Sequence, residues 1–125
     1  MEADQITLAI EKEIRSYSAE VEREISNCLE RTADQIIDYI KTNAPRSGHG
    51  SKHMADSFIK ESYGDGANKT IVIYSKTKGG LVHLIEFGFK HRSGVFVAAR
   101  PFMRPAYEKY APNMLEEIRT IIRGN

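Results

Sequence analysis

The chain has no tryptophan, a single cysteine and only four prolines in 125 residues. One cysteine, Cys28, cannot close an internal disulfide. The fold must then be held by its core, and assembly in a reducing compartment is expected. No apolar run approaches the roughly 18 residues of a membrane span. The Met-Glu-Ala-Asp start is acidic where a secretion signal is basic, so neither membrane insertion nor export by the usual route is expected. Neither sign of charge dominates. A formal net charge of +1 places no strong electrostatic demand for nucleic acid or lipid.

The signatures of common chemistry are also missing. There is no GxSxG elbow for a nucleophilic serine, no HExxH, no cysteine-pair metal spacing, and no lysine-containing phosphate loop at Gly64-Asp65-Gly66 or Gly79-Gly80. His49 and His53 are four apart, yet they flank Gly50 in a polar stretch and have no cysteine partner nearby. His83 lies on an apolar element and reads as a satisfied core or surface histidine, and His91 reads as part of a solvated basic loop. Cys28 falls on an apolar helical stripe, where a small buried residue is expected rather than a nucleophile. No metal, no cofactor and no catalytic residue is assigned.

The length fits one domain over 1–125, with enough chain to bury a core unaided. From about Asp4 to Asn43, Ile10, Ile14, Tyr17, Val21, Ile25, Cys28, Thr32, Ile36 and Tyr39 recur at steps of four and three, which predicts a helix. The pair Ala44-Pro45 ends it, because a proline disfavours helical geometry at the residue before it. A helix of about 40 residues would span about 60 Å. A domain of this size is only about 30–40 Å across. The helix must break, with Ser16-Tyr17-Ser18 as the weak point, or project an apolar stripe onto a neighbouring copy. A coiled coil fits less well, because the stripe drifts at 3.6 rather than 3.5 residues per turn.

Pro45–Lys52 is a polar, glycine-containing loop. Asp56–Tyr63 and Lys69–Ser75 predict an antiparallel hairpin around Gly64–Asn68. Leu81–Phe87 predicts a short helix closed by Gly88. Val95-Phe96-Val97 is a candidate short strand in the loop Phe89–Ala99. Pro105–Arg123 predicts the last helix, with Tyr107, Tyr110, Met114, Leu115, Ile118, Ile121 and Ile122 inward. The whole is an α+β domain: a long N-terminal and a C-terminal helix packed on a small antiparallel sheet, with a short helix before Glu86-Phe87-Gly88 and 44–99 forming the sheet and loops.

Two features stand out from this background. In Arg100-Pro101-Phe102-Met103-Arg104-Pro105-Ala106-Tyr107, both arginines precede prolines and are biased extended, so the segment reads as a stiff elbow feeding the last helix. Glu86 is an acidic residue in an apolar setting, where it either caps backbone N–H groups or pairs with Arg92, Arg100 or Arg104. A small enzyme centred on Glu86 and a histidine is one alternative function. A nucleic-acid-binding accessory protein is another, using Lys90, His91, Arg92, Arg100 and Arg104 with Phe89, Phe96 and Phe102 interleaved.

Three blocks in order, Ala44-Pro45-Arg46-Ser47-Gly48 after a long helix, Ile85-Glu86-Phe87-Gly88, and Arg100-Pro101-Phe102-Met103-Arg104-Pro105-Ala106, resemble the tailed-phage neck family. These are the gene-product-ten-like head–tail connector and tail-completion proteins of siphophages and prophages. Met54-Ala55-Asp56-Ser57 comes later than the family's usual Leu-x-x-Ser, and Phe89 follows the Glu-Phe-Gly block. The resemblance implies a non-enzymatic virion protein at the head–tail junction, assembled in the host bacterial cytoplasm. It implies a homo-oligomeric ring, a hexamer or dodecamer, that meets an adaptor or stopper ring and the tail tube protein. Genomic DNA would pass through its lumen without sequence-specific binding. Pro45, Gly48, Glu86, Phe87, Gly88, Arg100, Pro101, Phe102, Arg104 and Pro105 are its structural or interface residues. Phe102 is expected to be buried, and Arg100 or Arg104 to pair with a carboxylate, Glu86 first.

Overall fold

Ile6 and Leu8 alternate with Gln5, Thr7 and Ala9, a period-two pattern, while Ile6 alone also fits a helical spacing with Ile10. The computed structural model describes residues 4–10, 17–45, 53–90 and 92–124. In it Gln5–Ala9 is a strand, β1, that buries Ile6 and Leu8. The expected helix therefore does not start at residue 4. The spacing of Ile6, Ile10 and Ile14 imitates a helical stripe, and a partner far along the chain, with Ile6 opposite Ile73, decides for the strand.

The first helix, α1, is Ala19–Asn43. The foreseen break near 16–18 is where it begins. Ser18 is extended, and its side chain accepts a hydrogen bond from the Val21 N–H at 3.1 Å. Ala44 ends it in extended geometry, as a residue before proline should. Its 25 residues give a length of about 37 Å, which fits one small domain. The stripe Ile25, Cys28, Thr32 and Ile36 is buried, joined by Leu29, Ala33 and Ile40. It is covered by this chain's own sheet and last helix, so the expectation of a stripe projecting onto a neighbour is corrected.

A single 3₁₀ turn at Met54–Asp56 precedes strand β2, Phe58–Tyr63, which pairs antiparallel with β3, Thr70–Ser75. The expected hairpin is present, its first strand starting two residues late. The sheet has three strands rather than two, in the order β1–β3–β2. Its inner face carries Ile6, Leu8, Phe58, Ile71 and Ile73 against α1. Gly79–Phe87 forms α2, the predicted short helix. Phe89–Lys90 (β4) and Phe96–Val97 (β5) form a small hairpin. Met103–Ile122 forms α3, which starts two residues before Pro105 and buries Met103, Ala106, Ala111, Met114, Ile118 and Ile121. Leu115, expected inward, is exposed.

Helices α1 and α3 lie against each other. Tyr39 and Tyr110 meet edge to face at 6.2 Å, with the Lys109 ammonium over both rings, and Arg31 pairs with Glu117. Cys28 is buried at this contact. Burial, reinforced by the neighbouring Glu117, pushes its thiol up to about 11, which suits an inert core residue.

A polar brace ties α1 to the hairpin. Glu30 on α1 receives Lys60 of β2 at 2.7 Å, Lys69 at 2.8 Å and the Ser62 hydroxyl at 2.9 Å, and Lys60 also meets Asp34 at 2.8 Å. Hydrogen bonds from Lys60 and Lys69 hold the Glu30 carboxyl down at about 2. A depressed carboxylate stabilises the fold above its unfolded value and loses that contribution as pH falls through the folded one. Solvent reaches these side chains, so the brace is worth about 1 kcal/mol rather than the full shift. Glu30→Gln is expected to lower the unfolding free energy by about 1 kcal/mol at neutral pH. In urea titrations the gap from the wild type should close as pH drops from about 4.5 towards about 2.

Candidate functional site at the Glu86 junction

The sequence places Glu86 in the last turn of a nearly all-apolar helix, and the fold turns its side chain inward. Only Val82 and Glu86 of α2 are buried, Glu86 to 6% exposure. A buried carboxylate needs partners, and here they are backbone groups. Oε1 accepts from the N–H groups of Phe102 at 2.9 Å and Met103 at 3.0 Å, and Oε2 from that of Arg104 at 3.0 Å.

These are the orphan donors at the start of α3. A helix leaves its first four N–H groups without intrahelical acceptors. Phe102 holds the N-cap position and its side chain makes no capping bond. The next three residues are Met103, Arg104 and Pro105, and proline has no N–H to satisfy. Glu86 therefore serves three donors and Pro105 removes the fourth. The first intrahelical bond, from Ala106 N–H to the Phe102 carbonyl at 3.2 Å, follows at once. The carboxylate also lies at the positive end of the helix dipole.

The chain between the two helices is shaped for this contact. Gly88 leaves α2 at φ 77°, and a Cβ there would stand 2.6 Å from the Val97 carbonyl oxygen and 2.8 Å from the Ala99 nitrogen. The hairpin β4–β5 brings the chain back, and the Arg100 N–H donates to the Ile85 carbonyl at 2.8 Å. Phe102 is 2% exposed and meets Phe58 edge to face at 5.9 Å. The junction therefore links α2, the sheet and α3 through one carboxylate and one ring.

Of the expected site residues, the structure brings Glu86, Gly88, Arg100, Phe102, Arg104 and Pro105 together here. Phe102 is buried as foreseen. Of the two partners expected for Glu86, the backbone N–H groups are the ones found, and the favoured arginine pair is corrected. Among the described residues, neither Arg100 nor Arg104 has a carboxylate within ion-pairing distance, and both side chains are exposed. Backbone donors need no side-chain ordering and already point along the helix axis, so they take the carboxylate first. Arg104 is helical rather than extended. Its N–H bond to Glu86 holds it there against the pre-proline bias. Phe87 is 54% exposed, beside His83 at 5.3 Å between ring centres, and Pro101 is exposed. Pro45 is half-buried after α1 and away from this junction in sequence. Gly48, His49 and His91 lie outside the described residues. Among those described, no group of His, Cys, Asp and Glu is placed to hold a metal ion.

Both oxygens of Glu86 are thus engaged in holding a helix end, and the acid–base reading of this residue loses its free carboxylate. What the junction can do is fix the angle between α2, its hairpin and α3. A family model described as "Bacteriophage HK97-gp10, putative tail-component" matches residues 9–88. The chain belongs to this family. The match covers well over half of the sequence, from the end of β1 to Gly88, and includes the Ala44–Gly48 and Ile85–Gly88 blocks. The Arg100–Ala106 block lies beyond it, and Glu86 is the physical link between the two. No curated protein and no solved structure matches the chain. As a member of the HK97-gp10-like family, the protein is a structural, virion-associated phage component of the tail.

The cap makes separable predictions for unfolding experiments. Glu86→Ala is expected to cost about 2–4 kcal/mol and Glu86→Gln, which keeps one acceptor oxygen, about 1–2 kcal/mol. Arg100→Ala and Arg104→Ala should stay within about 0.5 kcal/mol of wild type. Arginine variants as damaging as the Glu86 variants would show that the guanidinium groups matter after all. Gly88→Ala should cost at least about 2 kcal/mol, from its left-handed backbone and the clash with the returning strand.

Proposed function

We propose that the protein forms a homo-oligomeric ring at the head–tail junction of a tailed phage, as a neck, tail-completion or tail-terminator component. The observation that carries this reading is the match to the tail-component family over residues 9–88. The ordered block that continues it, Arg100–Ala106, is tied to Glu86 at the junction. In this reading the ring joins a head-side adaptor or stopper ring to the tail tube protein. It lines or closes the conduit through which genomic DNA passes without sequence-specific contacts.

The physical requirements of such a part agree with the fold. A ring subunit needs fixed angles between the elements that face its neighbours, because a small error per copy prevents closure. The Glu86 cap and the buried Phe102 supply that stiffness at α2, the hairpin and α3.

Electron microscopy of particles assembled without this protein tests the proposal. Separate filled heads and unjoined or irregularly ended tails are the expected result. Normal joined particles would sink it.

A further inference from the structure

Large apolar side chains left in water are clustered on this molecule. Among the described residues eight are exposed, and six of them lie between Leu81 and Val97. Leu81, Leu84 and Phe87 come from α2, and Val95, Phe96 and Val97 from the hairpin, with Phe96 at 67%. Leu84 and Val97 line one small cleft together with Arg100, so the helix and hairpin sides are continuous. The patch amounts to several hundred Å², at the upper end of the roughly 300–600 Å² a typical monomer exposes. A helix that is apolar all round belongs inside an assembly, and α2 buries only one side in its own chain.

The charge beside this patch has one sign. Lys90, Arg92 and Arg100 are exposed and make no ion pair among the described residues. No acidic residue occurs between Phe87 and Tyr107. What covers the patch should therefore be apolar with a negative group set in it.

The protein carries such a surface itself. Helices α1 and α3 pack on one face of the three-stranded sheet, and the alternation in β2 and β3 puts Ile59, Tyr63, Val72 and Tyr74 on the other. Tyr63 is 55% exposed. Glu61 sits among them and accepts the hydroxyls of both Tyr63 and Tyr74. By the same alternation and the β1 register, this face carries no lysine or arginine. With Tyr63 counted, seven of the eight exposed apolar side chains lie on these two faces.

We propose that the α2–hairpin face of one copy docks on the open sheet face of the next, with Glu61 received by the cations at the edge of the apolar patch. The proposal rests on the ring reading above and names its subunit interface. The two faces are different, so a docked pair leaves one of each kind free. That is a heterologous contact, which closes into a ring when the rotation between copies suits. With its polar rim, a patch of this size approaches the roughly 800 Å² per partner of a standard stable interface.

Sedimentation velocity on the purified full-length chain, over a range of concentration and salt, tests the interface. Wild type should self-associate, and less so at high salt because part of the attraction is ionic. Phe96→Asp disables the patch and Glu61→Arg disables the sheet face. Each alone should weaken association at least about tenfold. Mixed in equal amounts they should give a dimer that grows no further, because the two variants together retain one intact pair of faces. Val95→Asp and Tyr63→Lys replace them if circular dichroism shows either variant unfolded. Wild type that stays monomeric throughout overturns the interface, as does a mixture that stays monomeric. Glu61→Arg that associates like wild type means the patch meets something other than the sheet face, and also overturns it. The ring reading fails separately, only if particles lacking the protein join normally.

Discussion

The bond from the Glu86 carboxylate to the start of α3 is the constraint on which the rest of the arrangement hangs. A helix that begins at a proline elbow has no serine, threonine or aspartate of its own to cap it. Here the cap comes from another helix, and the consequence is tertiary. The start of α3 is stabilised where α2 presents its acid. The returning hairpin, the positive φ at Gly88 and the Arg100–Ile85 backbone bond are then geometric conditions for that meeting. Phe102 adds an apolar lock on the sheet side through Phe58.

Much of this was legible in the sequence wherever the signal was local. Ala44-Pro45 ends α1 and Gly88 closes α2, because capping and pre-proline sterics act within a few residues, and Ser18, the cap of α1, lies in the weak point Ser16-Tyr17-Ser18. The β-branched run Thr70–Ser75 declared its strand. What was not legible depended on distant partners. Gln5–Ala9 is a strand because β3 is there to pair with it, and Ile6 is spaced for a helical stripe with Ile10 and Ile14 as well as for alternation with Leu8. Met103 and Arg104 are helical because Glu86 holds their N–H groups, a stabilisation absent from local propensity.

The same limit explains the partner of Glu86. An acid near several arginines suggests an ion pair, because side-chain charges are written in the sequence and orphan backbone donors are not. One local clue was available. Pro105, as the third residue inside the helix, leaves a set of three consecutive N–H groups ahead of it, one carboxylate's worth of donors. Counting donors before charges would have favoured the cap.

That substitution of backbone for guanidinium also shapes the surface. Because Glu86 is hydrogen-bonded to a helix end, Arg100 and Arg104 are left without it as a partner, and the stretch around the hairpin stays cationic beside an apolar α2. Had either arginine been drawn inward, the patch would have lost part of its charge along with the exposed stem of that side chain. The buried carboxylate thus performs two tasks with one set of bonds. It fixes the angle at which α2 and the hairpin leave the domain, and it leaves the cations beside them available to a partner. In the ring proposed above a subunit would need both, since its neighbours would have to find the same surface at the same angle in every copy.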